Sequence, residues 1–242
     1  MKTILFFTFL CPLWIFSQGL NYEQDFNNSF NQYSVDLSIQ NQYTYYLHTK
    51  EASLTKSSYL TKIDTNGINH WQKQISPFNF DISEAAFLEH TNNGYLYVAG
   101  TSNMACDIGY CKSFIQKMDA LGDTIWTTPL EDQNCNHASS VKSFGAVIQN
   151  QSIYYGIEEN NATHIYKTNS NSGQIEDTLI VQETDIMGYG YLSNHELVIY
   201  TSGSISCYDN TLTLSNAVAL PNIKKVTFRN DTAFVLTNDQ VR

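Results

Sequence analysis

The stretch YLTKIDTNGINHWQKQI (59–75) occurs a second time, as FIQKMDALGDTIWTTPL (114–130). Laid over each other, Lys62 meets Lys117, Asp64 meets Asp119, Gly67 meets Gly122 and Trp71 meets Trp126. Each copy reads as a strand, a tight turn at Gly, and a strand opened by Trp. A hairpin that recurs about every 40–55 residues marks a radial repeat architecture, in which each unit is one small sheet.

The segments ahead of these hairpins recur too. VDLSIQNQYTYYLHTK (35–50) reads as two strands around a polar turn. AFLEHTNNGYLYVAGT (86–101) repeats it with Asn92–Asn93–Gly94, a strong hairpin signal. Further copies lie at 146–157, 189–201 and 226–237. The second hairpin weakens along the chain. HIYKTNSNSGQIEDTLIV (164–181) keeps Lys167 and Gly173 without Trp, and SISCYDNTLTLSNAVAL (204–220) keeps Asp209 without Lys or Gly. From Lys62 to Lys117, Lys167 and Cys207 the spacings are 55, 50 and 40, as expected when only the strands must stack and the loops vary.

A unit therefore has four antiparallel strands, A to D. Units are expected near 35–75, 84–130, 142–181 and 187–220, with a partial fifth at 224–237. The fold class is all-β, a β-propeller with four to five blades present, either incomplete or closed by its other end. A β-sandwich also accommodates many short strands, but the repeat weighs against it. Should the ring close on itself, residues 21–26 are expected to supply a strand D beside the last unit.

Residues Ile4 to Phe16 are apolar apart from Thr8, follow a positive Lys2 and precede a small Ser17. That is the pattern of a secretory signal, too short to span a bilayer, with the mature chain starting at Gln18. Removing Lys2 with the leader takes the formal charge from −10 to −11. Such acidity argues against nucleic acid, which needs clustered cations to displace counterions, and against anionic membrane surfaces. About 225 residues remain, enough for one domain with a sizeable core.

YLYVAGTSNMACDIGYCKSFIQKMDALGDTIWTTPL (95–130) resembles the SBBP-type propeller repeats of secreted bacterial proteins. Tyr97–Val98–Ala99–Gly100 and Phe114–Ile115–Gln116–Lys117 carry the likeness. The Asp-x-x-Gly-x-x-x-Trp turns at 64–71 and 119–126 are also similar to the repeat of quinoprotein-like propellers, in which the Trp packs between neighbouring blades. The leader ending in Phe-Ser-Gln resembles those of exported Bacteroidetes proteins. The resemblance implies a binding or spacer module at the cell surface and no cofactor, because a quinone needs dedicated ligands that the turn motif does not supply.

The sharpest chemical signal is the cysteines. In a propeller the B–C and D–A connections open on one face. Cys106 and Cys111 lie in the B–C connection of the second unit and Cys135 in the D–A connection after it, so all three can meet. Export favours a disulfide between two of them, with the pairing open. A zinc site from these three and His137 is a loose match in ligand spacing, and an oxidising compartment competes for the thiols. Cys207 reads as a small buried strand residue. Asp107, Tyr110, Glu131, Asp132 and His137 share the cysteine face and are its contact candidates. The carboxylates read first as solvated loop charges and second as an acid–base pair. Trp71 and Trp126 read as packing, since a site is rarely built twice at equivalent places.

These residues point to an exported, non-enzymatic module that binds a protein or glycan at the cell surface, or acts as a spacer there. Periplasmic residence is a second location. The competing classes are a secreted hydrolase or lyase with carboxylates in the central funnel, and a fragment of a longer propeller protein.

Overall fold

The computed structural model describes residues 31–52, 55–78, 82–103, 111–133, 142–149, 151–159, 162–182, 186–192, 196–229 and 232–237. Strand formation follows the period-two pattern of apolar side chains. In β2 (Tyr43–Ala52), Tyr45, Leu47 and Thr49 share one buried side. Tyr-, Ile- and Val-rich runs bounded by Asn, Asp and Gly suit a pleated, half-buried surface.

The first sheet comprises β1 (Asn31–Gln40), β2, β3 (Thr55–Asp64) and β4 (Asn69–Ile75), paired in sequence order and antiparallel. The second comprises β5 (Ile82–His90), β6 (Leu96–Asn103), β7 (Cys111–Met118) and β8 (Thr124–Gln133). A single parallel bridge, Lys56 to Ile82, joins these two into one eight-stranded sheet. The third is β9 (Lys142–Gln149), β10 (Ser152–Glu159), β11 (Ala162–Asn169) and β12 (Ile175–Val181). The fourth is β13 (Ile186–Tyr191), β14 (Leu197–Thr201), β15 (Ser204–Tyr208) and β16 (Leu214–Ala219). The last is the pair β17 (Ile223–Arg229) and β18 (Thr232–Thr237).

Each first strand lies against the first strand of the next sheet, from β1 through β5, β9 and β13 to β17. That row forms the inner side of the array and leaves the fourth strands outside. β16 is accordingly exposed along its whole length. The chain is thus an all-β array of propeller blades, four complete and one represented by two strands.

The core is four layers, one between each pair of sheets. Tyr45, Leu47 and Leu60 meet Leu88, Val98 and Phe114 between the first and second. Tyr97, Ile115 and Leu130 meet Ile153, Tyr155 and Tyr166 in the next. Tyr154 and Ile165 meet Ile186, Leu197 and Ile199 in the third. Ile223, Val226 and Val235 pack on Tyr200 and Ile205 in the fourth. The second, third and fourth sheets each face a blade on both sides, so either side of such a sheet in isolation needs a neighbour to bury it.

The C–D turn repeats with its chemistry. Asp64 Oδ1 accepts from the amides of Asn66 and Ile68 at 2.8 and 3.0 Å. Asp119 does so for Leu121 and Asp123, both at 2.9 Å. Asn169 serves Asn171 and Ser172, and Asp209 serves Thr211 and Thr213. These are Asx turns, in which the side chain replaces a backbone acceptor. The turn closes through a left-handed residue: Gly67 (φ 80°), Gly122 (φ 79°), Gly173 (φ 75°) and, in the fourth sheet, Leu212 (φ 57°). The third turn is one residue longer than the others, with Asn169 N donating to Gln174 O where Asp119 N donates to Asp123 O.

Candidate functional site

Two ends of the array differ in what they can offer a partner. At the C–D turns, each of the first three sheets reaches forward to the next. Lys62 Nζ donates to the carbonyl of Ala120 at 3.4 Å, Lys117 to that of Ser170 at 2.9 Å, and Lys167 to that of Asn210 at 2.8 Å. Each acceptor is the residue directly after the Asx residue of the following turn. Aromatic rings line the ammonium path. Lys62 lies 4.0 Å from the Tyr43 ring centroid and Lys117 lies 4.0 Å from that of Tyr95. Trp71 covers Gly122, where a Cβ would stand 3.0 Å from the indole, and Trp126 covers Gly173 at 2.8 Å. Tyr97 adds a second donor to the Ser170 carbonyl at 3.1 Å. Burial lowers the Lys117 ammonium's pKa and raises that of the Tyr97 phenol. The Lys-Asp-Gly-Trp repeat is therefore an interblade clamp, and the turns that receive it are engaged in holding the array together.

The opposite end carries the B–C and D–A connections. Most B–C connections span two residues (53–54, 160–161 and 202–203), but that of the second sheet spans 104–110. The D–A connection that follows, 134–141, is also the longest of its kind. Of the residues expected to form a contact face, Cys111 opens β7 and pairs in register with Gln133 of β8, and Lys112 pairs with Asp132. Glu131 and Asp132 sit at the far end of β8 from the C–D turn, just before the 134–141 connection. Cys106, Asp107, Tyr110, Cys135 and His137 lie outside the described residues, and so does the expected strand at 21–26.

Described side chains at this end are a mixed set. Phe78, in the connection after β4, meets Phe114 edge-on with centroids 6.3 Å apart, and the Lys112 ammonium lies 5.9 Å from its ring. Lys56 pairs with Glu84 at 3.3 Å across the first two sheets. Beneath them Thr49 and Ser58 share a hydrogen bond at 2.9 Å, and Ser58 Oγ accepts from the Ala85 amide at 2.8 Å. Gly100 explains its place in the Tyr-Val-x-Gly signature: a Cβ there would lie 2.3 Å from the Glu84 carbonyl, at the bulge between Ala85 and Phe87. Phe78, Lys112 and Glu84 thus place an aromatic ring, a cation and a carboxylate at this end, above the buried Thr49–Ser58 hydrogen bond.

Two features escape sequence reasoning. The inner strands are tied by side chains. The Leu88 amide donates to Asp36 at 2.9 Å, Ser38 hydrogen-bonds His90, and Gln40 donates to the Thr91 carbonyl at 2.8 Å. On the first sheet, His48 stacks between Tyr46 and Tyr59 with centroids 5.1 and 5.6 Å away. Burial, and then Lys50, lower its pKa to about 4. Cys207, expected to be buried, is only half-buried on β15, and burial raises its thiol's pKa. Among the described residues, no group of three or more His, Cys, Asp or Glu side chains is placed to hold a metal ion.

No family model matches the chain, and no curated protein matches it. Solved structures do. A protein of unknown function from Bacteroides caccae superposes with a TM-score of 0.55 at 11% identity, over 85% of this chain and 70% of that one. The Dos1 propeller superposes with 0.59 at 8% identity, over 85% and 54%. The Pan2 WD40 domain of Neurospora crassa gives 0.53 at 11%, over 84% and 72%. The chain thus spans about half of the Dos1 propeller's length. At these identities the likeness speaks to architecture alone: the blades of this chain are stacked as in a β-propeller.

Proposed function

We propose that the chain is a non-enzymatic propeller module, exported by its N-terminal signal, that binds a protein or glycan outside the cytoplasm or spaces one at the cell surface. The contact face is the B–C and D–A end of the second sheet. One observation supports this reading: the C–D end is tied up in clamps, whereas the described strands leading into the two longest interstrand stretches, 104–110 and 134–141, end on the opposite side, where Lys112 lies by Phe78. Binding residues concentrate on such loops because a rigid scaffold can hold them without ordering them into its core. Its disulfide is drawn from Cys106, Cys111 and Cys135, which would brace the same loops.

The test is to shorten 104–110 and 134–141 to two-residue Ser-Gly links. Retention of the purified chain on the producing cell's surface should drop while thermal stability holds. Unchanged retention removes the contact-face reading. Mass measurement of the exported chain after alkylation, with and without reductant, reports the disulfide and the start at Gln18. A chain that carries the leader intact would contradict export by cleavage.

A further inference from the structure

The fourth strands lie outermost, so each presents the edge of its sheet to solvent. Edges of this kind pair with other strands unless charge, proline or distortion blunts them. Three of the four are blunted. β4 carries Lys73, which pairs with Asp123 of the next sheet at 2.9 Å. β8 carries Pro129, which has no N–H to offer, and then Glu131 and Asp132. β12 carries Glu176 and Asp177. β16 reads LSNAVA and carries neither a charge nor a proline. No charged residue occurs from Asn210 to Ile223, in a chain whose formal charge is −10. Every residue from Thr213 to Ala219 is exposed, and among the described residues β15 is the single strand paired with β16. Two interruptions bound the regular part of this edge. The register with β15 shifts between Leu214 and Asn216, leaving Ser215 as a bulge whose hydroxyl lies 2.8 Å from the Glu196 carboxylate. Pro221 ends it on the other side. Between them Val218, 51% exposed, stands between two alanines, Ala217 and Ala219.

We propose that β16 is a self-pairing edge: two copies of the chain join β16 to β16, antiparallel, about a two-fold axis at Val218. In that register Ala217 of each copy stands opposite Ala219 of the other, and Val218 stands opposite its counterpart. A two-fold interface needs one patch that is complementary to itself. The Ala-Val-Ala triplet meets that need in shape, and the uncharged stretch around it sets no carboxylate against another in an acidic molecule. A foreign peptide has less to recognise. Strand addition takes its specificity from recesses for alternate side chains, and the side chains of β16 are open on both faces. The proposal is independent of the contact face above. The edge from Asn216 to Leu220 is short, and it buries far less than the roughly 1,000 Å² of a stable interface. Pairing is therefore reversible and depends on concentration.

Sedimentation of the exported chain should show the mass of one chain at about 10 μM and a rise towards twice that mass at about 1 mM. Val218→Lys and Val218→Glu, each alone, should stay at the mass of one chain, because the axis sets two like charges against each other. An equal mixture of the two variants should recover the rise, since opposite charges then face. Because Val218 is half exposed, both variants should keep the parent's thermal stability, and the recovery on mixing separates edge pairing from misfolding. A parent that stays at the mass of one chain, association that either variant retains alone, or a mixture that recovers nothing overturns the proposal. So does a chain that stays single while an alternating Thr-Val peptide slows amide exchange in β16, since the occupant would then be a foreign strand.

Discussion

The lysines of the clamp look alike in sequence but stand in different surroundings. Lys117 is buried, with Tyr95 and Tyr97 beside it and a carbonyl in front, whereas Lys62 is partly open at a longer 3.4 Å contact. Removing a buried charge-assisted donor costs more than removing an exposed one. Lys117→Met should therefore lower stability by about 1–3 kcal/mol and Lys62→Met by less than about 1, read from urea midpoints. His48 makes a pH prediction. Its folded pKa lies below the usual 6.5, at about 4, so the unfolded chain binds the proton more readily between those values. The stability this contributes is complete above pH 6.5 and is lost as pH falls towards 4. Going from about pH 7.5 to 5, the parent should lose about 1–2 kcal/mol more than His48→Phe. Equal losses would show that His48 is solvated.

The turn is the element on which the repeat depends. Gly94 and Gly173 both have positive φ, but a Cβ on Gly94 would find only Ala120 at 3.9 Å, whereas one on Gly173 would strike Trp126 at 2.8 Å. Gly94→Ala should cost the left-handed backbone penalty alone, about 1–2 kcal/mol. Gly173→Ala should cost roughly 2–4, since a crowded interface adds to it. Matching losses in thermal scans would mean that Trp126 can move aside. The Asx residue and glycine of this element were legible in the sequence because a turn of fixed geometry needs particular residues. The fourth turn was legible only at Asp209, since Leu212 takes the left-handed position without the residue type that signals it. The target of each Lys was not legible, because a backbone carbonyl has no residue type. The role of Gly100 was invisible for a related reason: its constraint comes from the carbonyl of another strand. The end of the array at which the two longest interstrand stretches open was legible from loop lengths and strand order, while the cysteine chemistry expected there rests on residues 106 and 135, which lie outside the described segments.

Across the whole molecule, stability resides in layers between sheets rather than within any one of them. In such arrays it behaves as a sum of unit and nearest-neighbour terms. Damage should stay near its origin. Leu60→Ala, in the layer between the first and second sheets, should speed amide exchange across 31–133 while leaving β13–β15 at their parental rates. Uniform acceleration along the chain would show one cooperative unit instead. The bridge from Lys56 to Ile82 adds to the pairing of the first two sheets.

The clamps all point the same way along the chain: Lys62 to 120, Lys117 to 170, Lys167 to 210. That direction matters during synthesis, when the chain emerges from its N-terminus at about 5–20 residues per second. A lysine always leaves the ribosome before the carbonyl it will hold. Completing a turn lets the preceding blade's lysine take hold, but each of the first three blades must wait seconds for its successor's turn before its own lysine is engaged.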